Sequence, residues 1–383
     1  MSQFKTHKRV PTIGATALAA LLVLTGCSTD DSGNSESTAA DATDSAADES
    51  SGDENSQQQS GESLLPEAEG TTQYPLVLDT WAGETTLEER PERVAIIGFN
   101  SNLDVMESLD AVPVYALTED PWPWRSEEFV ESIEHVDTAT RGDDIQFETI
   151  ASTQPDLIIA SNFIFEEADY ERLAAIAPVL ESPEQMSGDQ VDWRETSRAV
   201  GEALDLSTAA EETITAAEKE ITQIAKSHPE FAGKTITVGN DYGAEWGLSY
   251  YTVAGGTAEH AMTEYLGFAP NPQAENFVDE DVVSDENLGM LDGDALVIIY
   301  ADEETREARE AMPLFQSIPA VADGRYVGLT FDEDNPTVLA NNDGEEIEGA
   351  NAVWVLRRGE SAISLPWALD VVANNWLADI DFS

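Results

Sequence analysis

Cysteine occurs once in the 383 residues, at Cys27, so no disulfide forms within the chain and the folded part is held together by its core. Basic residues are also scarce: 18 Lys plus Arg stand against 76 Asp plus Glu, a formal charge of -58. A nucleic-acid partner is excluded by that balance, because phosphate binding needs clustered Lys and Arg. Histidine appears four times, and His135, His228 and His260 stand in no metal-ligand spacing, so no resident metal is expected. No cofactor is expected either. Ala254-Gly255-Gly256-Thr257 is neither a P-loop nor a dinucleotide fingerprint and reads as a turn before a helix; no G-x-S-x-G elbow occurs. An enzyme is therefore not expected, with an exported α/β hydrolase the remote alternative, since so many acidic residues can always supply a carboxylate pair. The one long apolar run, Ile13 to Gly26, is shorter than the roughly 18 to 20 residues of a bilayer span.

That run belongs to a secretory leader. Lys5, Lys8 and Arg9 precede the apolar stretch Ala15 to Leu24, and Leu24-Thr25-Gly26-Cys27 forms a lipobox. Residues 1–26 read as a lipoprotein signal peptide, with Cys27 the lipidated, palmitate-bearing first residue of the mature chain; the competing view is a short membrane helix and a chance cysteine. The expected location is the extracytoplasmic face of the cell membrane, held by the lipid alone. Residues 27–73 are rich in Ser, Asp, Glu, Ala and Gly, carry no aromatic or basic residue, and read as a disordered acidic tether that self-repulsion extends.

The remaining stretch of about 310 residues exceeds the usual limit of one hydrophobic core, so two lobes are expected. Short apolar runs at Arg93 to Phe99, Pro113 to Leu117, Asp156 to Ser161 and Pro178 to Leu180 alternate with helical patterns, among them Leu103, Val105, Met106 and Leu109 behind a capping Ser101. The same alternation returns with strands at Thr235 to Gly239, Ala295 to Tyr300 and Arg325 to Leu329. Between them Ile214, Ala217, Ile221 and Ile224 recur at helical spacing. The expected fold is α/β: two Rossmann-like lobes, 74–190 and 231–383, joined through a helical connector at 191–230 whose long helix spans Ala209 to Ser227.

Several segments occur in a telling order: Arg90-Pro91-Glu92-Arg93-Val94, Phe147-Glu148-Thr149-Ile150-Ala151, Gln154-Pro155-Asp156-Leu157, Ile176-Ala177-Pro178-Val179, Ser317-Ile318-Pro319-Ala320-Val321 and Leu365-Pro366-Trp367-Ala368. Together they resemble the iron-siderophore and cobalamin class of ABC-transporter solute-binding proteins. The resemblance implies one long interlobe helix, a ligand cleft between the lobes, a monomer, a small iron chelate as transported ligand and an ABC permease as partner. It implies a ferric siderophore as ligand, with cobalamin or haem the alternative in the same cleft. The acidity leans slightly toward hydroxamate or mixed chelates over tris-catecholates, because each anionic group in the cleft needs local compensation.

Ligands of α/β sheets bind beyond the carboxyl ends of strands. Asn100 follows the first strand, Trp122, Trp124 and Arg125 the second, Asn162, Phe163 and Phe165 the third, and Tyr242 and Trp246 a strand of the second lobe. Two proline-flanked tryptophans either wall a bulky ligand or fold back under their own loop. Of Tyr250 and Tyr251, one is expected in the core. The resemblance adds Arg141 as a ligand-facing arginine, against the plain view of a pair with Asp143 or Asp144, and Glu148 and Glu286 as permease-docking carboxylates, against that of solvated helix residues.

Overall fold

The computed structural model describes residues 63–98, 100–118, 122–138, 145–163, 166–185, 192–251, 258–279, 281–331, 338–340 and 346–383. Cys27 with the leader, Arg141, Phe165 and the turn at 254–257 lie outside them, and Asn100 is described by its backbone alone.

An antiparallel hairpin, β1 (Leu76–Thr80) and β2 (Gly83–Leu87), precedes the first lobe. That lobe alternates β3 (Val94–Ile97), α1 (Asn100–Ser108), β4 (Tyr115–Thr118), α2 (Glu127–Ser132), β5 (His135–Thr138), α3 (Phe147–Ser152), β6 (Leu157–Ile159), α4 (Glu167–Ala174) and β7 (Val179–Leu180). Its five strands are all parallel, in the order β5-β4-β3-β6-β7. A parallel sheet must be covered on both faces, which is why β3 is a continuous apolar run. Val94 and Ile96 pack with Leu103, Met106 and Val200 on one face, while Ala95 and Ile97 pack with Ile150, Ile158 and Leu173 on the other. Helix α1 starts at Asn100, so Ser101 lies inside its first turn and not at the cap, while Leu103, Val105, Met106 and Leu109 are buried as the spacing requires.

The connection between lobes is a helix pair, α5 (Trp193–Ala203) and α6 (Ser207–Ser227). Each reaches both cores: Val200 and Ala210 pack in the first lobe, Trp193, Ile214, Ile221 and Ile224 in the second. The sequence pattern started the long helix at Ala209, but it begins at Ser207, where Glu69 accepts the backbone N–H groups of Thr208 (2.7 Å) and Ala209 (2.9 Å). This also corrects the extent of the tether. Residues 63–73 dock on the first lobe, with Leu65 buried in its core and the amides of Gly70, Thr71 and Thr72 each 2.8 Å from the Asp205 carboxylate. Composition hides this, because the bonds run from backbone amides to a carboxylate over 130 residues away.

The second lobe contains β8 (Thr235–Asp241), β9 (Leu248–Tyr250), α7 (Ala258–Leu266), β10 (Ala269–Pro270), β11 (Val282–Val283), β12 (Ala295–Tyr300), α8 (Glu303–Glu310), α9 (Pro313–Gln316), α10 (Pro319–Ala322) and β13 (Tyr326–Thr330). The hairpin β14 (Val338–Ala340) and β15 (Glu346–Glu348), then α11 (Ala352–Trp354) and α12 (Ser364–Val371), complete it. Strands β8, β12 and β13 are parallel, as the three apolar runs imply, and β9 and β11 extend the sheet antiparallel. Tyr250 and Tyr251 are both buried, on opposite faces of this sheet. No helix among the described residues is long and apolar enough to cross a membrane.

Candidate functional site

The carboxyl end of β3 opens onto a tight corner. Gly98 has φ +123°, and a Cβ there would lie 2.8 Å from Asn102 Nδ2 and 2.9 Å from Phe163 Cβ. Asn102 is buried and donates to the carbonyls of Ile97 (3.1 Å) and Ser161 (3.0 Å), tying β3 to the loop after β6. Phe163 packs in the first-lobe core. Asn162 sits beside it at φ +57°, its backbone N–H bonded to the Glu181 carboxylate.

The aromatic loop after β4 packs across the lobes. Trp122 and Trp124 stack with centroids 5.1 Å apart, and Trp124 meets Trp367 of α12 at 4.9 Å. Trp124 is half-buried against the second-lobe core, its indole N–H donating to Asp104 at 3.1 Å. Trp122 is half-buried too, and its indole N–H has no acceptor among the described residues. Arg125 departs from its expected place as a rim donor. Its side chain is 2% exposed and paired with the fully buried Asp104, with Glu107 3.9 Å away. Burying a guanidinium is costly unless it is paired, and α1 supplies the carboxylate.

In the second lobe Tyr242 follows β8, and its hydroxyl bonds that of Tyr251. Arg357 joins them: its Cζ lies 3.9 Å above the Tyr251 ring, and its Nη1 donates to the Tyr242 hydroxyl at 2.9 Å. Burial pushes the Tyr251 phenol well above its usual range, against the opposing pull of Arg357. Arg357 lies on a π-helical turn, Val355–Gly359, a distortion common at functional sites. Sequence reasoning missed it. The signal available was an Arg357-Arg358 pair in a chain with so few basic residues. Trp246, expected with Tyr242 to bind the ligand, is 70% exposed at the β8–β9 turn.

The structure thus brings Trp122, Trp124 and Arg125 together at Asp104, and Tyr242 together with Arg357 and Tyr251. The chain from Arg357 to Ser361 links the groups, because the Ser361 hydroxyl donates to Asp104 at 2.9 Å. The aromatic faces and the Arg357 fork suit an organic anion, by stacking and charge-assisted hydrogen bonds. No cluster of three or more His, Cys, Asp or Glu able to hold a metal occurs among the described residues. Recesses along α6, one of them lined by Arg194, His228 and Tyr265, lie on the connector and not at the strand ends.

Glu148 is exposed on the first turn of α3, and Glu286 is exposed on the 3-10 turn Asp285–Leu291. Arg309 of α8 bonds Asp285 at 3.0 Å and the buried Asp241, at the end of β8, at 2.8 Å.

Residues 97–333 match the periplasmic binding protein family, and the chain belongs to it. It is accordingly an extracytoplasmic substrate-binding protein, not an enzyme. Among solved structures, a periplasmic solute binding protein from Mycobacterium smegmatis is 20% identical, covering 80% of this chain and 98% of its own, with a TM-score of 0.59. PiaA of Streptococcus pneumoniae, in complex with ferrichrome, is 24% identical over 78% of this chain and 97% of its own, also at 0.59. SirA of Staphylococcus aureus, complexed with staphyloferrin B, is 18% identical over 80% and 100%, at 0.58. No curated protein gives a significant sequence match.

Proposed function

We propose that this protein captures a ferric siderophore outside the membrane and delivers it to an ABC importer, without making or breaking a bond. The observation that carries the reading is the Arg357 guanidinium held between Tyr251 and Tyr242 beyond the end of β8, where α/β lobes receive ligands. The same fold holds ferrichrome in PiaA and staphyloferrin B in SirA, which supports an iron chelate as cargo. In this reading Trp122 contributes the opposing wall, Asn100, Asn162, Arg141 and Phe165 act as further ligand-binding residues, and Glu148 and Glu286 dock a permease on the two lobes. Cys27 carries the lipid anchor, and the receptor acts as a monomer.

The test is a titration of the soluble protein, begun before Ser63, with ferric hydroxamate, ferric catecholate, ferric carboxylate, cobalamin and haem while following tryptophan fluorescence. Saturable quenching by one ferric chelate is expected. Silence with every iron chelate and a response to cobalamin or haem would replace this reading by the other cargo.

A further inference from the structure

Asp104 is buried on α1, and three side chains converge on its carboxylate: the Trp124 indole (3.1 Å), the Arg125 guanidinium and the Ser361 hydroxyl (2.9 Å). Two of these groups come from the first-lobe loop and one from the second lobe. Ser361 also takes the backbone N–H of Ser364 at 3.0 Å, at the start of α12. That helix carries Trp367, whose ring packs on Trp124. The contacts close a circuit: Asp104 to Ser361, along α12 to Trp367, across to Trp124 and back to Asp104. A carboxylate only accepts, so every member of this node is fixed in its role as donor.

We infer that Asp104 is a positioning residue that latches the two lobes together and sets the aromatic wall formed by Trp122 and Trp124. Among the described residues the lobes are then joined by the covalent helix pair α5 and α6 and by this non-covalent node. The Asp104 charge is met from within its own lobe, by the Arg125 guanidinium. The ties of this node that cross between lobes, among the described residues, are the Ser361 hydroxyl and the Trp124–Trp367 ring contact, both removable without leaving a buried charge alone. Opening the lobes breaks both at once, so the latch favours one lobe spacing in the ligand-free receptor.

The consequence for binding rests on the proposed siderophore reading, while the consequence for lobe spacing does not. Asp104→Asn takes away the buried carboxylate paired with Arg125 and risks the fold, so the discriminating variants are Ser361→Ala and Trp367→Leu. Each is measured for lobe spacing by small-angle X-ray scattering without ligand, and for affinity toward the ferric chelate that quenches the parent protein. Both variants are expected to show a larger ligand-free radius of gyration, more acrylamide quenching of tryptophan and about tenfold weaker chelate binding, the loss typical of a hydrogen bond to a charged group. Ser361→Thr, which keeps the hydroxyl, should recover the parent values. An unchanged ligand-free scattering profile in both variants overturns the latch. If no chelate binds the parent protein, the functional reading has failed and the scattering alone decides the latch.

Discussion

Asp205 Oδ1 accepts the backbone N–H of Thr72 at 2.8 Å, and with it those of Thr71 and, through Oδ2, Gly70. Burial alone would raise this carboxyl, but the three amides outweigh it and hold it down at about 2, from 3.8. A lowered folded-state value stabilises above the unfolded one and loses that contribution as pH falls from about 4 to about 2. Asp205 also sits at φ +54°, which Asn tolerates, so Asp205→Asn isolates the charge from the backbone. Urea unfolding at pH 7 should show it less stable by about 2 kcal/mol, with the gap closing toward pH 2. A gap that persists unchanged at pH 2 refutes this assignment.

Glu259 has the opposite signature. It is fully buried on the first turn of α7, its Oε1 takes the Asn271 amide at 3.2 Å, and the Tyr250 phenol interacts with its carboxyl. Burial pushes its carboxyl up to about 8. Between pH 4.5 and 8 the folded state then binds a proton that the unfolded state releases, so stability falls with rising pH across that window. Glu259→Gln removes the effect. The variant should exceed the parent at pH 8 by on the order of 2–4 kcal/mol and match it near pH 4.5, as read by thermal or denaturant unfolding.

The two aromatic walls should separate by stability. Trp122→Ala is expected to weaken chelate binding by at least about 1 kcal/mol while the unfolding midpoint holds. Trp124→Ala loses the Asp104 and Trp367 contacts as well, so about 2 kcal/mol of stability should go with the affinity. Across the cleft, Arg357→Ala should lower affinity at least about tenfold and Tyr242→Phe by less. Isothermal titration checks all four; an Arg357→Ala protein that binds like the parent places the charge recognition elsewhere.

Docking separates from binding in a different way. Glu148→Ala combined with Glu286→Ala should leave chelate affinity intact and abolish most uptake into cells. Arg309→Met, which leaves the buried Asp241 unpaired and frees Asp285, should cost about 3 kcal/mol of stability. Full uptake by the double alanine variant would show both glutamates to be ordinary surface residues.

What the sequence reveals here follows from periodicity. The runs that became β3, β8 and β12 are legible because a strand buried on both faces must be apolar at every position. The same logic marks α6, whose inner face repeats Ile214, Ala217, Ile221 and Ile224. Strand β9 is three residues long and antiparallel, and it escapes any window. The burial of Arg125 depends on Asp104 and Glu107 of α1 among 76 acidic residues, and adjacency in space leaves no mark in the chain. Arg357 was hidden for a third reason: a π-turn breaks the spacing by which helices are recognised.

The seam at Asp205 also has a mechanical side. A pull transmitted along the chain toward Ser63 meets three amide bonds to one carboxylate arranged in parallel, with Arg90 gripping the carbonyls of Pro66 (2.7 Å) and Leu204 (2.8 Å). The load is shared among these bonds and delivered to the corner where α5 meets α6, so tension on the N-terminal segment bears on the stem of the molecule and leaves the Trp122 and Arg357 walls unstrained.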